Sequence, residues 1–233
     1  LHAALRESVL EANSALGRAG LVVLTFGNAS AVDRDAGVVA IKPSGVSYDR
    51  LTPAAIAVVD IESGAVVDGE TRPSSDTPTH LHVYRAWPDV GGIVHTHSSF
   101  ATAWAQAGEE IPCYGTTHAD HFDGAVPVTR RLTAAEIEGE YERATGEVIV
   151  ETFARLELAP LHRPAVLVAS HGPFAWGASV EEAVENAIAL EEVAAGALRT
   201  RQVRADVLPI GDDLRRRHFG RKHGPGAYYG QNR

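Results

Sequence analysis

The sequence predicts an α/β fold in which helices flank a mixed or antiparallel central sheet. Short apolar runs bounded by glycine, proline and serine occupy the middle of the chain, which is typical of strands joined by tight turns. Apolar residues at helical spacing mark both ends of the chain and the stretches between the strands. Since 45% of the 233 residues are hydrophobic and no repeat or linker interrupts them, we expect residues 1–233 to form one domain.

The N-terminal part is predicted to contain a helix followed by short strands. Apolar residues recur at helical spacing over residues 3–16, and Gly17 and Gly20 end that pattern. Ser63-Gly64 is expected to join two short strands as a hairpin. The predicted strands here are the apolar runs 21–26, 38–41, 58–61 and 65–67.

Helix starts are indicated by capping patterns. Thr52-Pro53 and Thr77-Pro78 each place a hydroxyl at a possible N-cap with proline at the first helical position. Thr133 with Glu136 and Ser179 with Glu182 match the capping box, and the second pair precedes a long amphipathic pattern. The tail over residues 223–231 is too rich in glycine for regular structure, and we expect it to be flexible.

Composition excludes several classes of function. The net charge of -9 argues against a nucleic-acid surface, because such a surface must neutralise phosphates. The single cysteine, Cys113, cannot form an internal disulfide, and no charged and apolar leader opens the chain. No window approaches the roughly 18 consecutive apolar residues of a membrane helix. We therefore expect a cytoplasmic protein without a nucleic-acid or membrane partner.

Three histidines lie at the ends of two predicted strands. His95 and His97 follow the apolar run 91–94, and side chains two apart on a strand point to the same side. His171 follows a second run, 165–169. A catalytic zinc commonly has three protein ligands and an open fourth position. The pattern predicts a metal site, whereas one such histidine alone would more often be a strand-end residue bonded to the backbone.

Two other histidine pairs are weaker candidates. His80 and His82 have the same spacing, but they follow Pro78 on a predicted helix, where residues two apart do not face each other. His118 and His121 flank Asp120, and a buried polar or surface-loop role explains them as well as catalysis does.

Three short segments are rich in glycine, hydroxyls and free amides, which suits an oxyanion. Each alone is more often an ordinary turn, but together with a metal site they predict binding of a phosphate. Lys42 could supply the positive charge that the chain as a whole lacks. The segments contain Gly27 and Asn28, then Lys42, Ser44 and Gly45, then Ser74, Ser75 and Asp76.

These motifs carry a family resemblance that runs nearly from end to end. The chain resembles the class II aldolase and adducin-like family, and within it the L-ribulose-5-phosphate 4-epimerases. The similarity includes residues 145–149 and the tail 221–231, which the aldolases of the family are not expected to share. The motifs are FGNAS (26–30), IKPSG (41–45), RPSSDTPTH (72–80), IVHTHS (93–98), GTTHAD (115–120) and SHGPFAWG (170–177).

The resemblance implies a cyclic homotetramer with active sites between subunits and one Zn²⁺ per subunit. His95, His97 and His171 match the family's metal ligands, and Asp76 matches a residue beside the metal that some descriptions count as a ligand. Asp120 and Tyr229 match its two acid/base residues. His218 and Arg221 match positions that line the site of a neighbouring subunit. The matched phosphate contacts are Gly27, Asn28, Ser44, Gly45, Ser74 and Ser75.

The implied reaction converts L-ribulose 5-phosphate to D-xylulose 5-phosphate, in arabinose catabolism. Because the C4 hydrogen is not acidic, the route is retro-aldol cleavage of the C3–C4 bond and re-addition, with the metal as Lewis acid. One alternative is a class II aldolase acting on a deoxysugar phosphate such as L-fuculose phosphate. Asp76, where those aldolases typically have glutamate, and the tail with Tyr229 favour the epimerase. A second alternative is a non-catalytic adducin-like interaction domain, which the three histidines and the acid/base pair disfavour.

Overall fold

The computed structural model describes residues 1–223 and 226–229. In these residues seven strands form one sheet in which all neighbouring strands are antiparallel, in the order β4-β3-β2-β1-β5-β7-β6. The strands are β1 (Asn28–Asp33), β2 (Val38–Ile41), β3 (Ala57–Asp60), β4 (Val66–Asp68), β5 (Gly92–His95), β6 (Ala165–Leu167) and β7 (Pro173–Gly177). The antiparallel form of the two predicted sheet types is therefore the one observed.

Helices cover both faces of the sheet. They are α1 (Ala3–Arg18), α2 (Thr77–Ala86), α3 (Ser99–Ala107), α4 (Thr116–His121), α5 (Ala134–Glu138), α6 (Tyr141–Arg155), α7 (Val180–Val203) and α8 (Asp212–His223). Helices α1, α3 and α7 bury their apolar residues on one face, and α2 and α6 bury theirs on the other. No helix in the described part of the chain combines the length and the apolar character needed to cross a lipid bilayer.

The strand side chains alternate between two cores, as the pleat requires. On β2, Ala40 belongs to the core under α1 and α7, and Val39 belongs to the core under α2 and α6. Trp176 fills the second core without exposure to solvent and donates its indole N–H to the carbonyl of Pro160. Strands β2, β5, β6 and β7 are therefore buried along their whole length, whereas the edge strand β4 is partly exposed.

Most predicted elements are confirmed. The first helix, the strands at 38–41, 58–61, 65–67, 91–94 and 165–169 and the long helix after Ser179 are present within a few residues of their predicted bounds. Thr133 and Glu136 form the full capping box. Ser179 caps the backbone N–H of Glu182, but the Glu182 carboxylate accepts from Ala178, so the second box is only half formed.

The predicted strand over 21–26 is wrong. Val23, Leu24 and Phe26 are 63%, 73% and 51% exposed, and the segment forms a turn closed by a bond from Phe26 N–H to the Val23 carbonyl. Leu24 has φ 55° and Gly27 has φ 79°, so the backbone leaves the extended region twice. Strand β1 starts only at Asn28, in the segment that the sequence assigned to a loop.

Two predicted helix starts are corrected as well. Thr52-Pro53 begins only a short 3-10 turn, Pro53–Ala55. Helix α2 does begin at Thr77, but its N-cap position is Asp76, and the Thr77 hydroxyl donates to the Ser74 carbonyl. In the tail, residues 226–229 contain neither helix nor strand, and the rest of the predicted flexible segment after His223 lies outside the described residues.

Candidate functional site

Three imidazoles converge at one end of the sheet. One ligand nitrogen from each of His95, His97 and His171 lies within 4.8 Å of the others. His95 Nε2 and His97 Nε2 are 3.1 Å apart. Among the described residues, these three side chains form the one group of histidine, cysteine or acidic residues whose ligand atoms lie close enough together to hold a metal ion.

Two strand ends position these rings. His95 is the last residue of β5 and is paired in register with Phe174 of β7, on whose ring it stacks at a centroid distance of 4.2 Å. Ser170 (φ 63°) turns the chain between β6 and β7. At Gly172 a Cβ would lie 2.9 Å from the Thr96 carbonyl, so glycine permits the close approach that brings His171 beside His95.

Hydrogen bonds fix which nitrogens face inward. His95 Nδ1 lies 2.9 Å from the Pro173 carbonyl, an acceptor, so Nδ1 carries a proton and Nε2 is the nitrogen that faces His97. His171 Nδ1 lies 3.3 Å from the Tyr141 hydroxyl. Burial lowers the pKa of His97, and it lowers the pKa of His171 to about 4. Neutral imidazoles are therefore favoured at His97 and His171.

This donor set fits a divalent transition-metal ion. His95 Nε2 and His97 Nε2, 3.1 Å apart, are close enough to share one proton or to bind one cation together. Three convergent imidazoles, two of which have hydrogen-bonded outer nitrogens, suit zinc, and they border the adjoining cavity.

Asp76 lies beside the histidines as a partner of Asn28. Asn28 Nδ2 donates to Asp76 Oδ2 over 2.7 Å and to Ser74 Oγ over 3.1 Å. Burial opposes ionisation of Asp76, but the nearby histidines and the Asn28 amide hold its pKa below the ordinary value. Asp76 is thus an anchored carboxylate at the edge of the imidazole group, outside the set whose ligand atoms converge.

The histidines open into a cavity of about 430 Å³. The predicted substrate and metal residues at this end all line it. They are Gly27, Asn28, Lys42, Ser44, Gly45, Ser74, Ser75, Asp76, His95, His97 and His171.

The three predicted phosphate segments are tied to one another. Ser44 N–H donates to the Arg72 carbonyl, and Ser74 N–H donates to the Lys42 carbonyl, each close to 3 Å. The bond from Asn28 to Ser74 joins the first segment to the third. Hydroxyls and amides from distant parts of the sequence therefore share one rim of the cavity.

Lys42 is almost fully buried at that rim, with 1% of its surface exposed. Its ammonium donates to the Thr25 carbonyl over 3.2 Å and lies 4.7 Å from the centre of the Tyr48 ring. Burial lowers its pKa to about 8, against the attraction of Asp76. The charge is thus held against the loop at 25–27, in the wall of the cavity.

Sequence reasoning missed Tyr141 and Glu142, which also line the cavity. They begin helix α6, which packs closely on α2 because a Cβ at Gly146 would lie 2.7 Å from the His82 Cβ. Thr79 of α2 also hydrogen-bonds the Glu142 carbonyl. The glycine in the motif at 145–149 was the available signal, but the side chains that it brings to the site have no characteristic spacing.

A second polar cluster joins α4 to α8 and the tail. Arg221 donates hydrogen bonds from Nε and Nη2 to the Asp120 carboxylate, at 2.8 and 2.5 Å. His218 Nδ1 is 3.0 Å from the same carboxylate. The Arg221 guanidinium lies 4.2 Å from the centre of the Tyr229 ring. Arg221 therefore brings Asp120, His218 and Tyr229 together within one chain.

The second cluster is separate from the histidine cavity. Among the described residues, Asp120, His218, Arg221 and Tyr229 are absent from the lining of that cavity. Burial raises the pKa of Asp120, but hydrogen bonds from Arg221 and His218 outweigh it and leave the pKa below the ordinary value. Asp120 is therefore an ionised carboxylate, able to accept a proton.

The two histidine pairs that were the weaker candidates lie outside the group of three imidazoles. His80 and His82 lie on α2, and His80 is fully buried with Nδ1 2.7 Å from the Ser30 hydroxyl. His118 is buried and its Nε2 lies 2.8 Å from the Gly124 carbonyl. His80 and His118 are thus structural hydrogen-bonding groups, as the sequence allowed.

Comparison with known proteins gives consistent similarities. Residues 7–198 match the family described as Class II Aldolase and Adducin N-terminal domain. An L-fuculose 1-phosphate aldolase is similar in structure, with a TM-score of 0.77 and 25% identity over 94% of this chain and 95% of the other. YgbL from Klebsiella pneumoniae, a putative aldolase/epimerase/decarboxylase, has a TM-score of 0.73 and 25% identity over 92% and 97%. The L-fuculose-1-phosphate aldolase from Thermus thermophilus has a TM-score of 0.67 and 25% identity over 88% and 98%.

Proposed function

Because the chain belongs to the class II aldolase and adducin N-terminal domain family, we propose that it is the sugar-phosphate epimerase that interconverts L-ribulose 5-phosphate and D-xylulose 5-phosphate. Epimerisation at C4 requires proton transfer to and from the C4 oxygen on two opposite sides, because attack on the two faces of an aldehyde leaves its oxygen pointing in opposite directions. One proton donor cannot easily serve both, so the reaction needs two groups.

The observation that carries the proposal is the cluster around Arg221. It holds the Asp120 carboxylate at the edge of one guanidinium and the Tyr229 phenol over its face. We assign the proton at the C4 oxygen of one epimer to Asp120 and that of the other epimer to Tyr229. Each group acts as base when its own epimer is cleaved and as acid when it is formed.

The cavity supplies the remaining requirements. Asn28, Ser44 and Ser75 hold the phosphate, so that the glycolaldehyde phosphate released by C3–C4 cleavage stays bound while its aldehyde turns over. A divalent ion held by His95, His97 and His171, zinc by preference, would supply Lewis-acid stabilisation of the enediolate fragment. Asp76 lines the cavity beside the histidines and accepts a hydrogen bond from Asn28.

The complete site in this proposal combines two subunits. The histidine cavity and the Asp120 cluster are separate within one chain, and a symmetric ring would bring the cluster of one subunit to the cavity of the next. We therefore propose a cyclic homotetramer with Asp120, His218, Arg221 and Tyr229 contributed in trans.

A second candidate is an aldolase that releases its two fragments. The similarity to two L-fuculose 1-phosphate aldolases at 25% identity favours it. The non-catalytic adducin-like alternative is disfavoured by the three converging imidazoles, which an interaction domain would not need.

The two catalytic candidates are separated by offering both substrates to the same zinc-loaded preparation. The epimerase predicts consumption of L-ribulose 5-phosphate without net release of aldehyde, and little turnover of L-fuculose 1-phosphate. An aldehyde trap that fills with L-fuculose 1-phosphate as substrate, while L-ribulose 5-phosphate stays unchanged, would assign the aldolase activity instead.

A further inference from the structure

Tyr48 holds the loop that leads into the cavity, although it does not line the cavity itself. It begins the 3-10 turn Tyr48–Arg50, and its hydroxyl donates to the Phe26 carbonyl over 2.9 Å and to the Gly27 carbonyl over 2.8 Å. One O–H is thus shared between two successive carbonyls. Burial raises the pKa of Tyr48 above the ordinary value, so the phenol remains a donor at neutral pH.

Lys42 holds the carbonyl of the preceding residue, Thr25. Its ammonium donates to the Thr25 carbonyl and lies over the Tyr48 ring at 4.7 Å. Cation–π attraction of this kind is stronger when the ammonium is withdrawn from water, as it is here. Tyr48 and Lys42 therefore hold the carbonyls of residues 25, 26 and 27 from one side.

The opposite side of the loop is held by the metal-site strand. A Cβ at Gly27 would lie 2.8 Å from the His95 carbonyl, so the loop is pressed against the end of β5. Leu24, just before it, has φ 55° while its side chain is 73% exposed, and burial does not compensate for that conformation. A loop with this conformation needs outside restraint, and the Tyr48 hydroxyl supplies it.

We propose that Tyr48 is a positioning residue for phosphate binding, which it controls by fixing the loop at 25–27 and thereby Gly27, which lines the cavity. This inference rests on the proposed function of the cavity as the site of a phosphorylated sugar. Asn28 follows the loop directly, and its Nδ2 bonds to Ser74 and Asp76 at the cavity rim. Without the phenolic bonds the loop gains freedom, and Gly27 loses its fixed place in the cavity lining.

The test is Tyr48→Phe, which keeps the ring under Lys42 and removes only the hydroxyl. Tyr114→Phe is the matched control, because it removes a hydroxyl that bonds to Arg201 away from the cavity. In both variants we measure amide hydrogen exchange over residues 22–28 and titrate the zinc-loaded protein calorimetrically with inorganic phosphate. Asn28→Ala is a third variant, and any phosphate binding that it retains occurs outside the proposed site.

For Tyr48→Phe we expect faster exchange over residues 22–28 and phosphate affinity about tenfold lower, the scale of one or two lost hydrogen bonds. The KM for L-ribulose 5-phosphate should rise by a similar factor while kcat and zinc content stay unchanged. Tyr114→Phe should match the wild type in all of these.

Wild-type exchange over residues 22–28, or wild-type phosphate affinity, in Tyr48→Phe would overturn the inference. The exchange and phosphate measurements do not use the sugar substrate. If the wild-type protein fails to convert L-ribulose 5-phosphate, the proposed function fails, and these two measurements still decide the role of Tyr48.

Discussion

Asn28 and Asp76 are joined by a 2.7 Å hydrogen bond from the Asn28 amide to the Asp76 carboxylate. The bond connects the first residue of β1 to the N-cap of α2, and it lies between the predicted phosphate segments and the imidazoles. It fixes the orientation of the Asn28 amide, since Nδ2 is the donor. In the proposed reaction this contact keeps the phosphate rim in register with the metal centre.

Replacing Asn28 by alanine should therefore weaken binding of the phosphate. We expect KM for L-ribulose 5-phosphate to rise by a factor equivalent to about 1–3 kcal/mol, the range for a lost charge-assisted hydrogen bond, with zinc content normal. Steady-state kinetics and elemental analysis measure both quantities. Unphosphorylated L-ribulose is the control substrate, and an equal loss with both sugars would refute a phosphate role for Asn28.

Metal binding should depend on each of the three converging imidazoles. His95→Ala, His97→Ala and His171→Ala should each bind less than one zinc per subunit and lose activity, because three ligands at about 2.0–2.1 Å define the site. His82→Ala is the matched control, since His82 lies on α2 outside the group. Equilibrium dialysis with elemental analysis provides the count. Full turnover by a preparation verified as metal-free would contradict a catalytic role for the metal.

The acid/base pair should be sensitive to changes that preserve shape. Asp120→Asn and Tyr229→Phe should each lower epimerisation in both directions by the 10²–10⁴-fold typical of general acid–base catalysis, with zinc content and assembly intact. One of the two should still cleave a single epimer slowly and release glycolaldehyde phosphate. Near-normal rates in both variants would show that Asp120 and Tyr229 are not the pair.

Mixed oligomers test whether the two clusters act in trans. His97→Ala subunits lack the metal site and Asp120→Asn subunits lack the base, so each homo-oligomer should be nearly inactive. Co-expression should restore about one quarter of wild-type activity. A site is intact only when its histidine cavity comes from an Asp120→Asn subunit and its Asp120 from a His97→Ala subunit, and random assembly gives this arrangement in about one case of four. Mass photometry confirms assembly. A mixture no more active than its parents would mean that both residues must come from the same chain.

Folding stability should fall as the pH drops below about 6.5. Burial lowers the pKa of His80 to about 3 and that of His118 to about 4, whereas an unfolded histidine titrates near 6.5. Between pH 6.5 and 4 the unfolded chain binds protons that the folded chain does not, so stability is full above this window and is lost within it. Urea unfolding of metal-free protein at several pH values measures the slope.

The contribution of one histidine can be isolated with His118→Gln. This variant keeps a donor for the Gly124 carbonyl and should reduce the slope by up to about 1.4 kcal/mol per pH unit. His162→Gln, at an exposed histidine, is the control and should leave the slope as it is. An unchanged slope in His118→Gln would contradict the assignment of acid sensitivity to this buried ring.

The sequence predicted features whose cause is local. Strand alternation predicted that His95 and His97 face one side, and they do converge with His171, although β5 ends at His95 and His97 lies beyond it. Turn residues and caps gave the helix and strand order. Among the residues that the structure describes, those that the resemblance matched to metal ligands and phosphate contacts line one cavity, whereas those matched to the acid/base pair do not.

The features that it did not predict depend on contacts between distant segments. The run at 21–26 is apolar enough for a strand, yet Tyr48 and Lys42 hold its carbonyls in a turn, and no local signal indicates this. Tyr141 reaches the cavity only because Gly146 allows α6 to approach α2. The pairing of Asp120 with Arg221 joins residues 101 positions apart, which a pattern in the chain does not reveal.

The proposal that C4 is inverted is tested most directly by ¹³C NMR of zinc-loaded wild-type protein incubated with L-ribulose 5-phosphate labelled at C4. If C4 is inverted, the label moves into D-xylulose 5-phosphate until an equilibrium mixture of the two sugars remains, without accumulation of free glycolaldehyde phosphate. Label that leaves the sugar pool as glycolaldehyde phosphate, or that stays in L-ribulose 5-phosphate, would contradict it.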